Sequence, residues 1–362
     1  MNEKTTSFGL SFFYCVLQKT GLLFPYTCAI LLIKKKCKGV DTMNKYTGHP
    51  KQLYGIEEMR LCGGKGDGMR MLYVRNGKGL EFWISLDRAA DITRLSLHGD
   101  NFSFISACGY VSPEYYDKDG VGFLKSFTAG FCTTCGLTAV GSPCEDDGET
   151  LPLHGTISNT PCESFGYWEA DDGLHIKALV RDARIFSHKL VLEREYVVSL
   201  DENVITMTDK VKNVGSAASP YEIMYHCNMG YPLISENVEI KIPAHNVIPR
   251  NEHSATGLEN CLKAEKPQSN YEEMCFYHEL SGTPEVSVFN PDIEKGMKMT
   301  FDTKELKCFT QWKMMGEYDY VMGLEPGNCN PDGRDVMREK GMLEFLEPGE
   351  ERKQTLKFEF VG

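Results

Sequence analysis

An almost unbroken succession of short β-type segments, with convincing helical periods nearly absent, is the feature that most constrains how this chain can fold. Runs rich in β-branched and aromatic residues recur at 71–74, 80–86, 92–97, 175–180, 189–199, 204–211 and 220–226. They resume at 238–242, 285–289, 297–301, 308–314, 319–324, 342–346 and 354–360. Asn76-Gly77, Asp172-Gly173 and Asp201-Glu202-Asn203 stand where hairpin turns belong. Strand following strand without an intervening helix disfavours a parallel α/β sheet and predicts an all-β chain of large antiparallel sheets. More than a dozen strands exceed what a small sandwich holds. No linker or repeat divides them, so residues 43–362 read as one domain. The long stretch 109–149, crowded with Gly, Asp, Tyr and Cys, reads as an irregular functional segment.

Residues 1–42 differ from the rest. From Phe8 to Ile33 they are mostly apolar, then Lys34-Lys35-Lys36-Cys37-Lys38 follows. The stretch is long enough for a membrane anchor, although Lys19 and Pro25 weaken it. A signal peptide and an extension upstream of a start at Met43 are the other readings. A membrane partner is expected only if residues 8–33 are a genuine anchor.

A formal net charge of -12 argues against a nucleic-acid partner and suits a small, neutral or weakly charged ligand. The 14 cysteines are scattered, without the tight spacing of a disulfide framework, so they read as mostly reduced and the protein as cytoplasmic. Cys132-Thr-Thr-Cys135 lacks a second pair or a histidine partner and reads as packed small residues; no metal site is expected.

Four segments carry candidate chemistry. His154-Gly155 follows an acidic loop, and the glycine is read as letting the backbone approach a ligand. In Tyr221 to Pro232, His226 and Asn228 fall two apart and so on one face of an apolar strand, where polar groups need partners. Gly323-Leu324-Glu325-Pro326-Gly327 ends an apolar run with a carboxylate at what reads as a proline-glycine turn, a fixed position suited to a general base. Arg88, in Asp87-Arg88-Ala89-Ala90-Asp91, offers a guanidinium fork for hydroxyls or carboxylates, or else a simple ion pair.

His154-Gly155, Tyr225-His226-Cys227-Asn228 before Gly230-Tyr231-Pro232, and Gly323-Leu324-Glu325-Pro326, in that order, resemble the aldose 1-epimerase (galactose mutarotase-like) family, and more closely its bacterial branch known only as family proteins. Thr134 to Leu137, Asp209 to Gly215 and Gln311 to Lys313 add to the likeness, which covers about residues 50 to 362. The resemblance implies a β-supersandwich and an isomerase that interconverts sugar anomers without a cofactor, acting on a small carbohydrate. It implies Glu325 as base, His226 as acid and His154 at the ring oxygen, with the two histidines able to exchange roles. Arg88 and Asn228 would contact hydroxyls. Asp91 is a further binding candidate, and Arg334 would favour an acidic sugar. A non-catalytic carbohydrate-binding domain, and then a polysaccharide lyase or glycosidase, are the alternatives.

Overall fold

The strand-rich pattern closes into three antiparallel sheets of five, eight and seven strands, with two further short pairings. The computed structural model describes Lys45 to Gly362, so the expectation of an apolar extension or anchor falls outside the described residues. Among those described, no helix is long and apolar enough to cross a membrane, and the α-helices are two short ones, Glu252–Thr256 and Arg334–Glu339.

The five-stranded sheet is a meander from Gly55–Arg60 to Asp100–Asn101. In the eight-stranded sheet the long hairpins Gly173–Ala183, Lys189–Val198 and Val204–Asn213 lead to the C-terminal strand Glu351–Val361. The hairpin turns fall where Asn-Gly and Asp-Gly placed them: Asn76 Oδ1 accepts from the backbone of both Lys78 and Leu80, and Asp172 sits between paired strands. The seven-stranded sheet holds the His226 and Glu325 segments, and the His154 segment meets it through a bridge between Gly155 and Gly136. Its order begins Asn246–Pro249, Met274–Glu279, Cys308–Met315, Tyr320–Gly327 and Ser219–Met229, and the last of these also pairs with Cys132–Leu137. The reading of 109–149 as wholly irregular is therefore corrected, because Cys132–Leu137 is a fully buried strand inside it. Turn-forming residues on both sides hid it.

Strand Ser219–Met229 is buried on both faces, and its alternation sets the layers. Tyr221, Ile223, Tyr225, Cys227 and Met229 join the main core with side chains from all three sheets, whereas Met224 belongs to a separate apolar cluster on the other side. Cys132 and Cys135 likewise belong to different clusters, since strand residues three apart face opposite ways. That geometry prevents a shared metal, and all the described cysteines are unpaired.

Arg194 joins the layers. Its guanidinium, fully buried, donates to both oxygens of Asp209 (2.8 and 2.6 Å), to Asp91 Oδ1 (2.6 Å), to Thr134 Oγ1 (2.7 Å) and to the Ala89 carbonyl (3.0 Å). Tyr225 donates to Asp209 at 2.8 Å, and Thr134 donates to Asp91 through both backbone and hydroxyl. Asp91 is thereby corrected from a ligand-binding candidate to an interior counter-ion with both oxygens occupied. Arg194→Met would leave two buried carboxylates facing each other, and we expect it to cost about 3–5 kcal/mol in urea unfolding at unchanged m. A loss below about 1 kcal/mol would show that the sheets do not depend on the cluster.

Candidate functional site

Register builds the site on the face of the seven-stranded sheet that points away from Arg194. Thr133 lies opposite His226, and Glu325 opposite Thr310, which in turn lies opposite Tyr277. Cross-strand partners share a face, so these side chains form one row. A second row holds Asn228, Gly323 and Trp312.

Glu325 is not at a strand end. The strand runs through Pro326 to Gly327, which corrects the reading of a proline-glycine turn. Proline is accommodated because the ladder to Ser219–Met229 lapses between Met224–Gly327 and Cys227–Leu324, where it has no N–H to give. Gly323 makes room for the carboxylate: a Cβ there would lie 2.3 Å from Glu325 Oε1 and 2.9 Å from the Trp312 Cβ.

His226 and Asn228 share the predicted face, but the amide serves the imidazole and does not meet a sugar. Asn228 Nδ2 donates to the His226 carbonyl at 2.8 Å, which fixes the amide so that its Oδ1 accepts at 2.5 Å from His226 Nδ1. The ring proton therefore sits on Nδ1 and the lone pair on Nε2. Glu325 Oε1 lies 3.2 Å from the same Nδ1 but has no hydrogen-bond partner, because that N–H is directed at Asn228. As a substrate contact, Asn228 is corrected to a positioning residue.

His154 closes a third side. It takes a left-handed backbone (φ 59°), and its segment laces onto the end of Cys132–Leu137: Gly136 N donates to His154 O at 3.1 Å and Thr156 N to Gly136 O at 3.1 Å. Gly155 is needed because a Cβ would fall 2.3 Å from the Gly136 carbonyl, so the close approach is to this strand and not to a ligand. The His154 ring meets the His226 ring edge-on at 5.4 Å and lies 5.3 Å from Phe123. Phe127 and Trp312 complete a collar around His226 at 5.3 and 5.2 Å. Trp312 is held by a 2.6 Å bond from its indole nitrogen to Glu273.

Burial sets the protonation. It pushes Glu325 well above the usual carboxylate range, with Glu273 adding to the effect and Arg250 opposing it. Burial lowers His226 to about 4 against the favourable bond to Asn228. His154 falls well below its ordinary value through burial, His226 and Arg250. Burial thus favours the uncharged form of all three groups, the carboxyl of Glu325 and the imidazoles of His226 and His154. The Nδ1 of His154, the Oγ1 of Thr310 and Glu325 Oε1 are buried without hydrogen-bond partners, the pattern expected of a surface shaped to receive polar groups.

The match with the family described as a domain of unknown function, DUF4432, spans residues 66–360. The chain belongs to the DUF4432 family. No curated protein matches this DUF4432 chain, but solved structures share its fold. A candidate aldose 1-epimerase from Klebsiella pneumoniae is similar with a TM-score of 0.80 and 25% identity, over 85% of this chain and 83% of that one. A galactose mutarotase-like protein from Clostridium acetobutylicum gives 0.61 and 15% identity, over 86% and 99%. A galactose 1-epimerase from Lactobacillus acidophilus gives 0.57 and 14%, over 85% and 99%. The DUF4432 chain therefore has the galactose mutarotase-like fold, as its motifs implied.

Two other sequence candidates lie outside this constellation. Arg334 is buried and donates to Asp146 (2.6 Å), to the Asp146 carbonyl (3.0 Å) and to Glu149 (3.0 Å); it locks a loop and is corrected as a ligand contact. Arg88 is buried in the neighbouring wall, where its Nη1 donates to the carbonyls of Val111 (3.0 Å) and Ser126 (2.9 Å). Sequence reasoning missed Arg250, Thr310, Phe123 and Phe127, and gave Trp312 no role. Only the strand register, which places Thr310 and Trp312 opposite the Glu325 strand, could have suggested two of them.

In NMR titration of the histidines, His226 is expected to stay neutral with its proton on Nδ1 down to about pH 4. The Asn228 bond favours the charged ring, so Asn228→Ala should lower that midpoint further and release the tautomer. A midpoint near 6.5 would contradict the geometry.

Proposed function

We propose that the protein interconverts the anomers of a sugar by cofactor-independent acid–base ring opening and reclosure. One observation carries the reading: a buried carboxyl and a tautomer-fixed imidazole stand 3.2 Å apart beside a second imidazole. The likeness to epimerase-type structures supports the same reading.

Opening requires that the anomeric hydroxyl lose a proton while the ring oxygen gains one, and reclosure reverses both transfers. Each group therefore acts once as acid and once as base in a full cycle. For Glu325 to start as base its carboxyl must be ionised, a state Arg250 favours by lowering it, and for His226 to act as acid it must carry a second proton on Nε2, since Nδ1–H is held by Asn228. His154 would hold the ring-oxygen side through its unpartnered Nδ1. Phe127 and Trp312 flank His226 and would offer apolar surface to the sugar ring, with Phe123 packed behind them on His154.

Glu325→Gln and His226→Ala should each slow anomer exchange, followed by polarimetry or saturation-transfer NMR, by about 10²-fold or more. If both variants keep the wild-type rate on an accepted sugar, the proposal fails. Sugar binding without any exchange in the wild type would favour a binding domain instead. Gly323→Ala, in variant protein whose circular dichroism matches the wild type, should lose about 10- to 100-fold in kcat, because its Cβ needs the space of Glu325 Oε1.

A further inference from the structure

Three arginines are buried among the described residues: Arg88, Arg194 and Arg334. Two of them are matched by carboxylates, Arg194 by Asp91 and Asp209, and Arg334 by Asp146 and Glu149. Arg88 is not. Its hydrogen bonds are the two from Nη1 to the Val111 and Ser126 carbonyls, and no described carboxylate lies within ion-pair distance. The nearby acid, Asp91, is already engaged by Arg194 and Thr134. Nε and Nη2 donate to no described group. Burial accordingly depresses Arg88 to about 10, the mark of a charge without sufficient compensation.

The position of this unmatched cation gives it meaning. Val111 and Ser126 bracket the segment that packs against the candidate site. Within it, Tyr116 donates to the Gly155 carbonyl beside His154 (3.1 Å), and Phe123 packs on the His154 ring. Phe127, next to Ser126, packs on the His226 ring. Arg88 is thus tied to the same wall as both histidines, with half of its donor fork unused. A planar fork of this kind suits an oxyanion held by two parallel bonds.

We infer that the ligand supplies the missing counter-charge: the sugar carries an anionic oxygen group, a carboxylate or a phosphate, and Arg88 selects for it. The inference rests on the anomer-exchange reading for its sugar, but not for its charge. Arg334, the cation first suspected of this role, is neutralised by its own acids.

The test pairs sugars that differ only in charge. Glucose, glucuronate and glucose 6-phosphate, then galactose and galacturonate, are titrated calorimetrically into the Glu325→Gln protein, which separates binding from turnover. At least one acidic sugar should bind about 100-fold or more tightly than its neutral counterpart, and the uronate and phosphate arms tell the two sources apart. Adding Arg88→Gln should bring the acidic sugar down to the neutral level, while Arg88→Lys should keep part of the preference. Equal binding of charged and neutral sugars, no binding of acidic sugars, or an equal loss of both in Arg88→Gln with unchanged circular dichroism would each overturn the inference. Should Arg88→Gln not fold, Arg88→Lys decides: the acidic preference must fall about 10-fold or more with neutral affinity unchanged. Arg88-dependent binding of an acidic sugar without exchange in the wild type would sink the anomer-exchange reading and leave this one standing. Rapid exchange of neutral and acidic sugars alike would do the opposite.

Discussion

The guanidinium of Arg194 is the interaction on which the remaining architecture depends. A buried charge is costly unless every donor and acceptor around it is satisfied, and here the five bonds from one side chain reach all three sheets. Asp91 comes from the five-stranded sheet, Asp209 from the eight-stranded one, and Thr134 and Tyr225 from the seven-stranded one. Such a cluster contributes less through net stability than through specificity, because any other stacking of the layers would strand a carboxylate or the arginine. It also fixes the strand that carries His226, since Tyr225 and Thr134 are immediate neighbours of His226 and Thr133.

On the opposite face the same strands meet a different physical demand. There the polar groups are few and enclosed by aromatic rings, and burial favours the uncharged form of each. The carboxyl sits in space left open by Gly323, the imidazole is held by a side-chain amide, and the second imidazole by a backbone lace onto Gly136. Three unlike constraints thus position three groups, and none depends on a loop tip.

The alternation of β-branched and aromatic residues made most strands legible, and the order of the His154, His226 and Glu325 segments announced the fold family. Cys132–Leu137 escaped because its glycine and small residues lie among turn formers, although its pairing with Ser219–Met229 gives it away in three dimensions. Pro326 misled in the other direction: proline ordinarily ends a strand, yet here it sits where a ladder bond is absent. Asp91 and Arg334 were chosen for nearness in sequence to motifs, and nearness says nothing about which face a side chain takes. Arg250 lies on a loop with no motif of its own, and only the approach of distant strands brings its charge to bear on Glu325 and His154.

The two-sided strand Ser219–Met229 has an evolutionary consequence. Its odd positions answer to the main interior, and on the other face Met224 answers to a second apolar cluster while His226 and Asn228 form the candidate site, so a one-residue slip would exchange the phenol of Tyr225 for the imidazole of His226 on both faces at once. Insertions and deletions are therefore barred from this strand by two independent penalties. Point changes at 226 and 228, by contrast, leave both apolar clusters intact. A lineage could change that face one substitution at a time while inheriting the scaffold unchanged.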